Sequence, residues 1–114
     1  MFQPESPIAC DISAISPEQR EKHLATSRKL FKHLAESREL PDGYEFRLAG
    51  DSDLLVQVAE FISLEKLCCP FFRFSLELEA EGGPVWLRLT GRGGVKAFIR
   101  EEIRGLLGVA IDRQ

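Results

Sequence analysis

Glu65-Lys66-Leu67-Cys68-Cys69-Pro70-Phe71-Phe72-Arg73-Phe74-Ser75-Leu76-Glu77-Leu78 is the stretch in which the period of the sequence changes. Upstream of Pro70 the apolar residues Leu54, Leu55, Val58, Phe61 and Ile62 recur at helical spacing. Downstream they alternate, with Phe72, Phe74, Leu76 and Leu78 on one side and Arg73, Ser75, Glu77 and Glu79 on the other. A proline disfavours the α conformation at the residue before it. A helix over 52–68 therefore ends at the cysteine pair, and a strand starts just after it.

Working outward from that junction, Glu81-Gly82-Gly83-Pro84 reads as a hairpin loop. Val85, Leu87 and Leu89 continue the inward face of the returning strand, and Trp86, Arg88 and Thr90 face out. Gly91-Arg92-Gly93-Gly94 leads into a last helix with the stripe Val95, Phe98, Ile99, Ile103, Leu106 and Leu107. On the N-terminal side, Tyr44, Phe46 and Leu48 alternate with Glu45 and Arg47 in a strand over 44–49, which Gly50-Asp51-Ser52-Asp53 breaks. Ser16-Pro17-Glu18-Gln19 is a helix start with a capping residue and a first-turn proline. Leu24, Phe31, Leu34 and Ala35 then follow at helical spacing, and this pattern predicts a first helix running to about Leu40, where Pro41-Asp42-Gly43 makes a turn.

The expected order is α-β-α-β-β-α. This is an α+β, two-layer sandwich with a three-stranded, antiparallel-rich sheet, resembling a ferredoxin-like unit that lacks its last strand. Residues 1–15 hold Phe2, Ile8, Ile12 and Ile15 but no helical stripe, and are expected to form an extended arm. Residues 16–114 are expected to form a single domain. Open sheet edges, Val56 and Leu67 off the main helical stripe, and Trp86 on the outer face together suggest a homodimer in which the arm takes part.

Composition narrows the function classes. The 114 residues are 44% hydrophobic and 29% charged with a net charge of −3, an ordinary globular balance. No basic stripe is present to neutralise phosphates, so nucleic acid is not an expected partner. No run approaches the ~18 apolar residues of a membrane span, and the start Met1-Phe2-Gln3-Pro4-Glu5 does not read as a secretory signal, so a cytoplasmic location is expected. Three cysteines in such a chain do not make a disulfide framework.

The chemistry concentrates at Cys68 and Cys69. Adjacent residues of a regular helix diverge by roughly 100°, but a helix stopped by Pro70 lets the two thiols converge. Thiolates suit zinc, copper(I), mercury and other thiophilic ions. The helix C-terminus raises a thiol's pKa, and this disfavours a nucleophilic cysteine and favours coordination of a cation. Glu65, one turn earlier, lies within roughly 20° of Val58 on the apolar stripe, where a carboxylate needs a partner. It can complete a ligand set. Cys10 is the third thiol and makes a three-sulfur site if the arm folds back. His23 lies at the margin of its helical stripe and is a weaker candidate, and His33 lies on the opposite side; the plainer reading of both is as surface residues. Plainer readings stand beside these. The cysteines can be core residues, Glu65 can pair with an arginine, Cys10 can be incidental, and the glycine-rich run can be a simple strand-to-helix turn.

The run Glu65-Lys66-Leu67-Cys68-Cys69-Pro70-Phe71-Phe72-Arg73-Phe74, followed by Gly83-Pro84-Val85-Trp86-Leu87-Arg88-Leu89-Thr90-Gly91, resembles a group of small uncharacterised bacterial proteins. Some of these are associated with heavy-metal-responsive regulators of the mercury-resistance type. The likeness covers roughly the last two-thirds of the chain, and Cys-Cys-Pro-Phe is its most specific part. It implies soft-metal binding and says nothing about catalysis. The DNA-binding half of such regulators is not read in these residues. The expected function is therefore binding of a thiophilic metal or metalloid ion through Cys68 and Cys69, with Glu65 and Cys10 as helpers. The alternative is a dimeric interaction module whose cysteines are core.

Overall fold

A computed structural model describes residues 6–49 and 52–105, together with the backbone alone of residues 106 and 107. Phe2 of the arm, the Gly50-Asp51 break and the side chains of Leu106 and Leu107 lie outside the described residues.

Helix α1 (Pro17–Lys32) starts where Ser16 and Pro17 predict, with Ser16 Oγ donating to Gln19 Oε1 at 3.0 Å. It stops eight residues before Leu40. The segment after it is strand β1 (Leu34–Leu40), which turns through Pro41 and Asp42 into β2 (Gly43–Leu48). Helix α2 (Ser52–Cys68) ends at the cysteine pair, and strands β3 (Arg73–Leu78) and β4 (Val85–Thr90) form the expected hairpin before α3 (Val95–Leu107). The sheet thus has four strands, in the order β1-β2-β4-β3, with every neighbouring pair antiparallel. The expectation of three strands is corrected by β1.

The reason is tertiary. Leu34-Ala35-Glu36-Ser37-Arg38-Glu39-Leu40 is rich in good helix formers, so local preference favours continuing α1. In the sheet, however, Glu36 stands opposite Arg47 and Arg38 opposite Glu45, so the outward charges of β2 find complements on β1. Arg47 bonds Glu36 at 3.1 Å, and Glu45 receives Arg38 at 3.6 Å and Arg88 at 2.8 Å. The Arg38 guanidinium also sits 4.6 Å above the Trp86 ring, whose Nε1–H donates to Glu79 at 2.6 Å. Trp86 is consequently 8% exposed. The outer-face apolar spot expected there is covered by this chain's own β1.

The opposite sheet face carries Tyr44, Phe46, Leu48, Leu87 and Leu89, all buried beneath the helices. Phe31 of α1 packs edge-on against Phe46 and Phe61, while Phe71, Phe72 and Phe98 cluster where α3 meets the start of β3. Val58 and Phe61 of α2 and Val95, Ile99 and Ile103 of α3 complete the core. The stripe reading of α1 is revised in one respect: Leu24 is 45% exposed, and the buried face runs through His23, Ser27, Leu30 and Phe31. The inward reading of β3 also fails at its far end, where Leu76 and Leu78 are exposed. No helix among the described residues is long and apolar enough to cross a membrane.

Candidate metal centre

The end of α2 sets the geometry. The Cys69 amide still bonds back to the Glu65 carbonyl at 2.7 Å, and the Phe72 amide bonds to the Cys69 carbonyl at 3.2 Å. The chain therefore curls around the pair instead of leaving straight, and the two Sγ atoms stand 3.8 Å apart. The terminal carbonyl of Cys68, left without a helical donor, accepts the Asp11 amide of the arm at 2.9 Å.

That bond is one of several anchors on the arm. Arg92 donates to the Ser6 carbonyl, Ile8 packs on the core, and Arg20 donates to the carbonyls of Ile12 and Ile15 at 3.1 and 2.9 Å. A short 3-10 turn (Ile12–Ala14) follows Asp11, and Ile15 is 1% exposed. Held this way, the arm brings Cys10 to the pair. The Sγ atoms of Cys10, Cys68 and Cys69 all lie within 4.8 Å of one another, Cys10 at the exposed side and the other two buried.

A second trio shares Cys68. One ligand atom each of His23, Glu65 and Cys68 also falls within 4.8 Å of the others. The Cys68 sulfur is 3.6 Å from Glu65 Oε1, which receives the His23 Nε2–H at 2.8 Å. His23 is buried, contrary to the expectation of a surface residue, and stacks on Phe61 with ring centroids 5.7 Å apart. Its Nδ1 is buried with no hydrogen-bond partner among the described residues. Glu65 does have the partner its position demands, a histidine and not an arginine. His33, by contrast, is exposed as expected.

The electrostatics single out one sulfur. A hydrogen bond from the Cys69 thiol, acting against burial and assisted by His23 and Cys10, holds Cys68 down at about 4. Burial pushes the Cys10 thiol up to about 12, reinforced by its bond to Cys68. Cys69 is raised as the donor to Cys68 and by burial. Burial disfavours a charged His23, but Cys68 and Glu65 overcome it and lift the imidazole to about 9. The cluster at neutral pH is a Cys68 thiolate beside a His23 imidazolium, with the protonated Cys69 thiol donating to the sulfur over 3.8 Å and the protonated Cys10 thiol within 4.8 Å. This reverses the expectation from the helix dipole: a partial charge at a helix end is outweighed by a full charge and the adjacent Cys69 S–H donor. Glu65 is raised by burial, against the pull of His23.

The thiolate faces a cavity of about 390 Å³ between the three helices and the sheet. Cys10, His23, Glu65, Cys68 and Glu102 supply its polar wall. Glu102 of α3 is raised by burial and then by the charges of Glu65 and Cys68. Sequence reading brought forward Cys10, Cys68, Cys69 and Glu65, which the fold gathers. It ranked His23 as a weaker candidate and missed Glu102. A signal was present for both, because His23-Ser27-Leu30-Phe31 and Val95-Ile99-Glu102-Ile103 each follow the spacing of a buried helical face.

No known protein family, curated protein or solved structure matches this chain. The reading of the site therefore stands on its own geometry. Three cysteines, with His23 and Glu65 beside them, form a group able to hold a metal ion.

Proposed function

We propose that this chain binds a thiophilic metal or metalloid ion through Cys10, Cys68 and Cys69, as a small sequestering or accessory protein of the cytoplasm. The observation that carries the reading is the convergence of three sulfurs from segments far apart in sequence. Two sulfurs at ~2.3 Å from a tetrahedral zinc ion stand roughly 3.8 Å apart, and the Cys68–Cys69 separation is 3.8 Å. Cys68, already deprotonated beside His23, captures the ion first. Cys69 and Cys10 follow as coordination displaces their protons. His23 keeps Cys68 charged, Glu65 orients the His23 ring, and the Glu65 carboxylate is available as a further ligand.

The test is titration of zinc, mercury(II) and arsenite into the wild type and into Cys68→Ser, Cys69→Ser and Cys10→Ser variants. We expect at least one ion to protect all three thiols from alkylation and each substitution to weaken it. Affinity unchanged in the Cys68 and Cys69 variants overturns the reading.

A dimeric interaction module is the competing reading. The observation in its favour is the exposure of Val56, Leu67, Leu76 and Leu78. With Trp86 covered, these residues carry the apolar surface such an interface needs. Under this reading the thiols react only on unfolding, no ion binds, and sedimentation reports a dimer.

A further inference from the structure

A bare ion needs only its ligands. Protein interiors pack to the density of organic crystals and leave few voids larger than a water molecule. Here the shared sulfur of both ligand trios opens onto a cavity of about 390 Å³. An apolar cavity of about 150 Å³ is enough to admit benzene, and small-molecule sites begin near about 300 Å³.

The lining is divided. Phe31, Phe61, Phe72, Ile99 and Ile103 make a mainly apolar floor, broken by Glu102, whereas Cys10, Cys68 and the His23–Glu65 pair sit together on one wall. Leu24 and Ile12 also line the cavity and are 45% and 47% exposed, which places them where it meets solvent. Of the three cysteines, Cys10 and Cys68 face this space and Cys69 does not. The cavity therefore presents two sulfurs to a ligand whose remaining part is held by hydrocarbon.

We propose that the ligand is a soft metal or metalloid centre bearing one apolar aryl or alkyl group, such as a trivalent organoarsenical, bound through Cys68 and Cys10 with its organic group in the Phe31–Phe61–Ile99–Ile103 cavity. This rests on the thiol-site reading above and specifies its substrate class. An arsenic(III) centre with one organic group keeps two exchangeable positions, which matches two sulfurs facing the cavity. For an arsonous acid, two As–O bonds break and two As–S bonds form. The hydroxyls leave as two waters, taking one proton from Cys10 and one from solvent, and arsenic stays trivalent. Cys69, facing away, holds Cys68 in place by its hydrogen bond.

The experiment is competition of phenylarsonous acid, methylarsonous acid and arsenite between the full chain and dithiothreitol, read by intact mass. We expect the chain to prefer phenyl over methyl by about 30-fold more than dithiothreitol does, the size expected for sinking an aromatic ring into an apolar site. Leu24→Trp, at the exposed rim, and Ile103→Phe, on the floor, should each abolish that preference and leave arsenite binding intact. Arsenite binding with no phenyl preference overturns this inference and leaves the thiol-site reading standing. Failure of all three arsenicals and of the metals to engage the thiols overturns both. Phenyl binding that survives Cys68→Ser with Cys10→Ser overturns this inference too, because the cavity then takes aromatic compounds without the soft centre.

Discussion

His23 on α1 donates its Nε2–H to Glu65 Oε1 on α2 over 2.8 Å, and the two side chains are only 6% and 14% exposed. This contact links the two helices across the floor of the thiol cluster. It also supplies the positive charge that a buried thiolate requires.

Breaking that pair on one side leaves a buried charge without its partner. We expect His23→Ala and Glu65→Ala each to destabilise the fold by about 3–5 kcal/mol, the range for buried pairs losing one member. The double variant should cost less than the sum of the two. Urea denaturation of the four species in a double-mutant cycle measures the coupling, and strict additivity would show that the contact contributes nothing.

Cys68 held at about 4 is a thiolate throughout the neutral range. Iodoacetamide small enough to enter the cavity should modify Cys68 at a rate that stays level from pH 8 down to about 5. Cys10 and Cys69, both raised, should lag far behind at neutral pH. In His23→Gln the Cys68 profile should move to higher pH as its counter-charge is removed. Peptide mapping by mass spectrometry assigns the rates, and an unperturbed profile for Cys68 in the wild type would contradict the charge assignment.

The alkaline side carries its own signature. An unfolded thiol loses its proton near 9.0, whereas folded Cys10 keeps its proton up to about 12, and Cys69 is raised in the same direction. Above pH 9.0 the unfolded chain therefore binds fewer protons than the folded one, and stability falls as pH rises. His23 adds to the trend earlier. Its folded value of about 9 exceeds 6.5, so its contribution is complete below pH 6.5 and is lost through pH 9. Cys68 acts oppositely in that interval, since its depressed value gives a contribution that is lost as pH falls through about 4. Between pH 6.5 and 9 the two cancel, because folding merely moves one proton from Cys68 to His23. We expect a level urea midpoint from pH 6.5 to 9 and a decline beyond it that is shallower in Cys69→Ala. An equal decline in that variant would remove Cys69 as a cause.

Gly43, where the β1–β2 turn enters β2, lies hard against the backbone of β4. A Cβ at Gly43 would lie 2.0 Å from the Leu89 carbonyl oxygen of β4. Backbone cannot yield as a side chain does, so Gly43→Ala should cost about 2–4 kcal/mol or detach β1 from its place. Chemical denaturation gives the cost, and loss of Trp86 quenching or a blue-to-red emission shift reports release of Arg38 from the ring. A variant as stable as the wild type would show that the turn can open without penalty.

Helix α2, the junction at Pro70, the β3–β4 hairpin and α3 were legible because their periods are clean and their stops are chemical: a proline, a Gly-Gly-Pro loop and a glycine run. The Leu34–Leu40 strand was not. Its residues favour a helix taken alone, and only the alternating charges Glu36 and Arg38, matched to Arg47 and Glu45 across a two-residue turn, mark it as the strand that completes the sheet.

The same division holds at the site. The linear order of residues determined that Cys68 and Cys69 would meet at a broken helix end, with Glu65 one turn before them on the buried stripe, because spacing and proline stereochemistry are local properties. The tertiary structure decided the rest. It brought Cys10 in on an arm whose Asp11 amide satisfies the Cys68 carbonyl, and it set His23 against Glu65. It also turned a thiol at the negative end of a helix into the most acidic of the three. Charge–charge energies at contact distance depend on which groups are neighbours in space and how much water separates them, and neither quantity is written in the order of the chain.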